Sequence, residues 1–165
     1  MAMMMPSSVS DPTLNRRLKG LTSALAILTV LLGYFEGDRL VAYRDVGGVW
    51  TICRGITHGV HAGQVATQEE CHTMDTAEGL KSLAVVSAAL ARPQPPARKA
   101  ALADFEYNVG EGAFRRSGVL RRINAGDVLG GCGEMQLWVY VHGVINAWQV
   151  KRRGIEHEIC MQGVR

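Results

Sequence analysis

Two carboxylates and a hydroxyl stand close together in one short segment, Glu36-Gly37-Asp38-Arg39-Leu40-Val41-Ala42-Tyr43-Arg44-Asp45-Val46-Gly47-Gly48-Val49-Trp50-Thr51-Ile52-Cys53. Glu36 follows directly on the apolar pair Tyr34-Phe35. A carboxyl group in apolar surroundings keeps its proton more readily, because desolvation disfavours the charged form, and such a group suits a general acid. Asp45 stands beside Gly47-Gly48, on what reads as a turn between strands, where water reaches it. Thr51 adds a hydroxyl a few residues later. One acid, one base and one water-holding hydroxyl are what hydrolysis of a glycosidic bond requires. On spacing alone the plainer reading is a pair of solvated carboxylates, since Glu and Asp at this separation are common.

The elements that must position these groups follow from the pattern around them. From Tyr34 to about Val65, glycines at 33, 37, 47, 48, 55, 59 and 63 punctuate short segments such as Leu40 to Tyr43 and Val49 to Cys53. This texture predicts hairpin strands and turns, a small β lobe. From Thr67 onward the signals are helical. Thr67-Gln68-Glu69-Glu70 matches a capping box, and the helix it opens runs to about Ala91, where Pro93, Pro95 and Pro96 stop it. Pro96 suits the first turn of a helix through Phe105 and Val109, ended by Gly110 and Gly112. Ser117 and Asp127 can each cap a short helix, and a last one covers about Val150 to Cys160. The expected fold is α+β, with a small N-terminal β lobe and a larger helical lobe.

Against this background the segment Glu36-Gly37-x-x-Leu40-x-x-Tyr43-x-Asp45-x-x-Gly48-x-Trp50-Thr51 resembles the active-site segment of the phage lysozymes of glycoside hydrolase family 24. Tyr107-Asn108-Val109-Gly110-x-Gly112-x-Phe114-Arg115 and Leu120-Arg121-Arg122-Ile123-Asn124-x-Gly126-Asp127 are similar to segments after that family's central helix. Arg152-Arg153-x-x-Glu156-x-x-x-Cys160 is similar to its C-terminal helix. The resemblance covers most of residues 36 to 160. It implies a lysozyme-like fold and a catalytic triad of Glu36, Asp45 and Thr51, with Tyr43, Asn108 and Gly110 as substrate-binding candidates. The implied substrate is the β-1,4 bond between N-acetylmuramic acid and N-acetylglucosamine in peptidoglycan, and the implied outcome is inversion. One departure stands out: Ile56 occupies a position where relatives commonly carry His, which puts the usual hydrogen bonding under the β lobe in doubt.

The N-terminal region adds a further expectation. Met1 to Asp11 reads as a disordered tail, followed by Arg16, Arg17 and Lys19 and then an uncharged stretch from Gly20 to Phe35. A basic flank before an apolar segment is how chains are presented for export. The stretch is shorter than the roughly 20 residues of a bilayer-spanning helix, and Thr22, Ser23, Ala24, Ala26, Thr29 and Gly33 dilute its leucines. A buried first helix of a soluble domain is the plainer alternative, and a cleaved signal peptide lacks a small-x-small site. The basic flank favours a weak anchor. With it, the chain looks like the signal-arrest-release endolysins, which wait at the inner membrane and act on the wall once released. The domain reading is then a polar and basic tail at 1–19, an anchor at 20–35, and a lysozyme domain at 36–165 divided near residue 65. While the anchor lies in the bilayer Glu36 is pinned at the membrane surface, and departure lets it approach Asp45.

Composition bounds the remaining possibilities. The chain has 165 residues, 47% hydrophobic and 20% charged, with a formal net charge of +3. That suits one globular domain and argues against disorder. The Arg115-Arg116, Arg121-Arg122 and Lys151-Arg152-Arg153 clusters read as solvated helix faces, without the charge density or motif of a nucleic-acid binder. Trp138, Tyr140 and Trp148 could flank a sugar groove, but a core role is favoured. The five histidines fit no metal spacing, the cysteines lack paired C-x-x-C spacing, and no cofactor or metal is expected. Cys53, Cys71, Cys132 and Cys160 allow three disulfide pairings in an oxidising compartment; nearness in sequence favours Cys53–Cys71 and Cys132–Cys160. No Cys precedes Cys53, which excludes activation by disulfide exchange from the anchor. The reading is a monomeric muramidase at the periplasmic face of the inner membrane and then in the periplasm. Its rivals are a lytic transglycosylase and a non-catalytic, membrane-anchored wall-binding protein.

Overall fold

In a computed structural model the described residues are 9–45 and 47–164. The apolar stretch forms α2 (Ala24–Phe35), started by the Ser23 hydroxyl, which accepts the backbone N–H of Ala26. Ile27, Leu28, Leu31, Leu32 and Phe35 are all buried, so α2 lies inside the helical lobe rather than ahead of it. It packs against α3 (Gln68–Ala89) and α4 (Pro96–Val109). Gly79 on α3 permits the close crossing: a Cβ there would stand 3.4 Å from Leu28. Among the described residues no helix is long and apolar enough to cross a membrane.

The basic flank is folded as well. Asp11 caps α1 (Pro12–Leu18) by accepting the N–H groups of Thr13 and Leu14, and Pro12 occupies the first helical turn, where its missing N–H costs nothing. Leu14, Leu18 and Val9 are buried in the main core. Val9 and Asp11 therefore belong to the folded body and not to a tail.

The β lobe is small. β1 (Arg39–Arg44) pairs antiparallel with β2 (Trp50–Cys53), with an irregularity between Arg39 and Tyr43. The segment before α3 completes it, since Ala42 donates to the Gln64 carbonyl and Ala66 to that of Leu40. Thr67 and Glu70 form the capping box of α3. The helical lobe continues through α5 (Glu111–Arg116), α6 (Gly118–Asn124) and α7 (Val128–Glu134), the last followed by a single 3-10 turn, Met135–Leu137. A short hairpin, β3 (Tyr140–Val141) and β4 (Val144–Ile145), precedes α8 (Ala147–Cys160), which Asn146 caps. His142 and Gly143 both take positive φ (50° and 78°), the backbone of a two-residue hairpin turn whose twist matches its strands.

Cys53 is bonded to Cys71, joining the end of β2 to the first turns of α3, and Cys132 to Cys160, joining α7 to the end of α8. They close loops of 18 and 28 residues. Replacing Cys132 and Cys160 together by Ser should lower stability by about 3 kcal/mol through added freedom of the unfolded chain, read as the unfolding free energy extrapolated to zero urea, with a larger m-value because the unfolded chain is less compact.

Candidate active site

Glu36 ends α2 and its side chain turns to α8. The Arg152 guanidinium donates through Nη1 to Glu36 Oε1 at 2.5 Å. The same guanidinium donates through Nε and Nη2 to both carboxylate oxygens of Asp104 on α4, each at 3.1 Å, and lies 3.4 Å from Glu156. Arg152 and Asp104 are buried at 2% and 0% exposure, whereas the Glu36 side chain keeps 24%. Glu36 thus stands at the edge of a buried ionic cluster, with one oxygen held and the other side open. Its direct partner is a guanidinium within an ionic cluster, not the apolar surroundings that Tyr34-Phe35 suggests in sequence.

Burial alone would lower the affinity of Arg152 for its proton, but the carboxylates of Asp104, Glu36 and Glu156 outweigh it and hold the guanidinium charged. Desolvation and the nearby Asp104 push Glu156 well above the usual carboxylate range. Arg153 donates to Glu156, Asn108 and the Trp138 carbonyl. Arg152 and Arg153, which the charge pattern assigns to a solvated face, are among the most buried side chains. The signal for this lies in Arg152-Arg153-x-x-Glu156 itself, since helical spacing puts the three together beside Ile155 and Ile159.

Asp45 and Thr51 each bond to Val49 on the β lobe. Asp45 Oδ1 accepts the N–H groups of Gly47 and Val49, each at 2.9 Å, and so closes the turn between β1 and β2. Thr51, 2% exposed, pairs across the strands with Tyr43, and its hydroxyl donates to the Val49 carbonyl at 3.0 Å. Val49 is therefore held from both sides. Among the described residues no hydrogen bond or ion pair joins Glu36 to Asp45 or Thr51. The Arg39 guanidinium covers the Tyr43 ring at 4.2 Å. Asn108 lies with Val109, Leu137, Trp138, Tyr140, Gln149 and Arg153 around a cavity of about 410 Å³. Gly110 joins α4 to α5 with φ 85°, a conformation open to glycine. Trp138 packs edge-on against Phe105, but Tyr140 and Trp148 are 62% and 46% exposed and are not core residues.

Beneath the β lobe the cation comes from Arg54, while Ile56 makes paired backbone bonds with Ile52 and packs against the lobe's small core. Arg54 Nε lies 2.8 Å from Asp38 and 3.3 Å from the buried Asp75 of α3, and the Arg54 carbonyl accepts the Tyr107 hydroxyl at 2.6 Å. Gly33 makes room for it, since a Cβ would stand 2.8 Å from Arg54 Nη2. Arg54 thus joins residues three before and two after Glu36 to α3 and α4. Asp75 faces Arg54 without hydrogen-bond geometry, and among the described residues both its oxygens lack a donor.

The comparisons with known proteins agree with one another. A protein-family model described as phage lysozyme matches residues 33–156. The chain belongs to the phage lysozyme family. A SAR-endolysin of Enterobacteria phage P21 is 34% identical over 147 residues, 85% of this chain and 89% of the relative. An endolysin from Escherichia coli O157:H7 phage FAHEc1 superimposes with a TM-score of 0.77 at 30% identity, covering 87% of this chain and 95% of that one. The muramidase domain of SpmX from Asticaccaulis excentricus gives 0.77 at 28%, covering 82% and 95%. The fold is lysozyme-like, and the enzyme is a phage endolysin of the glycoside hydrolase class.

Desolvation, opposed by Arg54, raises the Asp75 carboxyl of this lysozyme to about 6. A raised folded-state value means the folded protein gains from protonation: the contribution is full below the unfolded value, declines as pH rises, and is lost above about 6. Asp75→Asn, neutral throughout, should lack this slope. In urea unfolding, wild type relative to the variant should lose about 2 kcal/mol between pH 4.5 and 7.5.

Proposed function

We propose that this lysozyme is a muramidase that hydrolyses the β-1,4 bond between N-acetylmuramic acid and N-acetylglucosamine in peptidoglycan, with Glu36, Asp45 and Thr51 as its catalytic residues. The observation that carries the reading is the different footing of the two carboxylates. Glu36 is held by Arg152 through Oε1, and among the described residues no hydrogen bond is made to Oε2, which leaves it to face the leaving oxygen. Asp45 is fixed by two backbone N–H groups on the partner lobe.

In this mechanism Glu36 protonates the glycosidic oxygen. Asp45 stabilises the cationic transition state or polarises a water, and Thr51 helps place that water. Tyr43, Asn108 and Gly110 contact the sugar chain, Asn108 from the cavity that Trp138 and Tyr140 border. The product is an inverted anomer.

The relatives' name, SAR-endolysin, and the basic flank before an apolar run support an anchored first state. Residues 20–35 then lie in the inner membrane with the domain on the periplasmic side, and withdrawal lets them fold into α2. A 12-residue helix rises about 18 Å, well short of the roughly 30 Å hydrocarbon core. An anchor of this kind must recruit Gly20 to Ser23 and remains marginal, which is what later release requires. The released enzyme acts in the periplasm as a monomer.

Mass spectrometry of fragments released from purified peptidoglycan tests the proposal. Wild type should give ends in reducing N-acetylmuramic acid, and folded Glu36→Gln should release them about a thousandfold more slowly. Anhydro ends would reassign the protein to lytic transglycosylases, and absence of fragments would favour wall binding without catalysis.

A further inference from the structure

The segment ahead of α2 reaches the neighbourhood of Glu36 through a chain of contacts. Tyr34, two residues before Glu36, donates its hydroxyl to Asp11 Oδ2 at 2.6 Å. The Lys151 ammonium lies 3.7 Å from the same oxygen and 4.9 Å from the centre of the Tyr34 ring. Lys151 also lies 5.4 Å from the centre of the Trp148 ring. Phe35 stands edge-on to both Tyr34 and Trp148, at 5.1 and 6.1 Å between centres. The Arg152 guanidinium lies over the Phe35 ring at 4.9 Å and donates to Glu36. Asp11, Tyr34, Phe35 and Lys151 therefore form a continuous support under the guanidinium that orients the acid.

We infer that Asp11 is a positioning residue: by tying Tyr34 to Lys151 it clasps the end of α2 to α8, sets the Phe35 ring under Arg152, and so aims Glu36. The inference rests on the reading of Glu36 as the acid. Asp11 is suited to the task because its two oxygens divide the work. Oδ1 caps α1, while Oδ2 faces Tyr34 and Lys151. The residues just before it are fixed too, with the backbone N–H of Ser10 donating to Glu158 on α8 and that of Val9 to Asn15.

The clasp also depends on where the N-terminus is. With residues 20–35 across a bilayer, Asp11 and Tyr34 lie on opposite faces of a hydrocarbon layer about 30 Å thick. It closes only after residues 9–19, their cations included, have followed α2 out. Catalytic geometry is then complete when the whole leading segment has crossed, not when α2 alone has left.

The test uses the full chain, free of detergent, with Asp11→Asn, Tyr34→Phe and the double variant. Asn still caps α1 and Phe keeps the ring. Each single change should lower kcat on purified peptidoglycan about tenfold with KM within about twofold, as expected for a misplaced acid. The double variant should be no slower than either single one, because both break the same tie. The Arg152 Nε–H resonance should move in both single variants, although neither residue touches Arg152. Wild-type kcat in folded variants with an unmoved resonance would overturn the inference, and so would losses that multiply in the double variant. If wild type itself releases no fragments, the muramidase reading falls, and the resonance alone decides whether the clasp positions Arg152.

Discussion

The structure hangs on one buried guanidinium. Arg152 comes from α8, yet its hydrogen bonds end on α4 through Asp104 and on the end of α2 through Glu36. A cation removed from water is tolerated only where its donors are satisfied and its charge is matched. Here two guanidinium groups, Arg152 and Arg153, meet three carboxylates, Asp104, Glu156 and Glu36. Burial favours the neutral form of Glu156, and a neutral Glu156 leaves two cations against two anions. Specific pairing of this kind gives little net stability compared with an apolar core, but it is directional. It fixes the rotation of α8 and the end of α2 together, which packing leucines would leave looser.

The β lobe is attached by different means. Its covalent tie is Cys53–Cys71, its ionic tie is Arg54 to Asp38 and Asp75, and its hydrogen-bond tie is Tyr107 to the Arg54 carbonyl. All three lie within two residues of one another at the end of β2. The turn bearing Asp45 is at the other end of that strand, and among the described residues its side-chain bonds are local, to Gly47 and Val49. The lobe is therefore anchored at its base and self-supporting at its tip.

What the sequence discloses follows from how local each signal is. The capping box at Thr67 and Glu70, Pro96 in a first turn, and caps at Ser117 and Asp127 all act within four residues, and each stands where its pattern points. α1 hides because seven residues with two adjacent arginines resemble a solvated flank, although Asp11-Pro12 ahead of Leu14 and Leu18 is a cap signal. α8 begins at Ala147, ahead of the Val150 that its apolar pattern suggests, because Asn146 supplies the cap. The 140–145 hairpin turns on His142-Gly143, a weaker signal than Asn-Gly. At the site, residue types and order for Glu36, Asp45 and Thr51 are visible in one segment. The partner of Glu36 is 116 positions away, and the cation that Arg54 brings to Asp75 depends on Gly33 leaving room. No local pattern reports either.

The burial of α2 also says something about solubility. Leu28 and Leu32 fill a seam on α3 where Gly79 offers no side chain of its own, and Leu31 and Phe35 complete the core toward the rest of the helical lobe. A domain whose α2 lies elsewhere has a hollow where this helix belongs, an apolar trough open to water. Surfaces of that kind drive self-association and attract chaperones. The helix is thus its own domain's plug, and its absence is a hazard that tethering dilute molecules to a surface would keep in check.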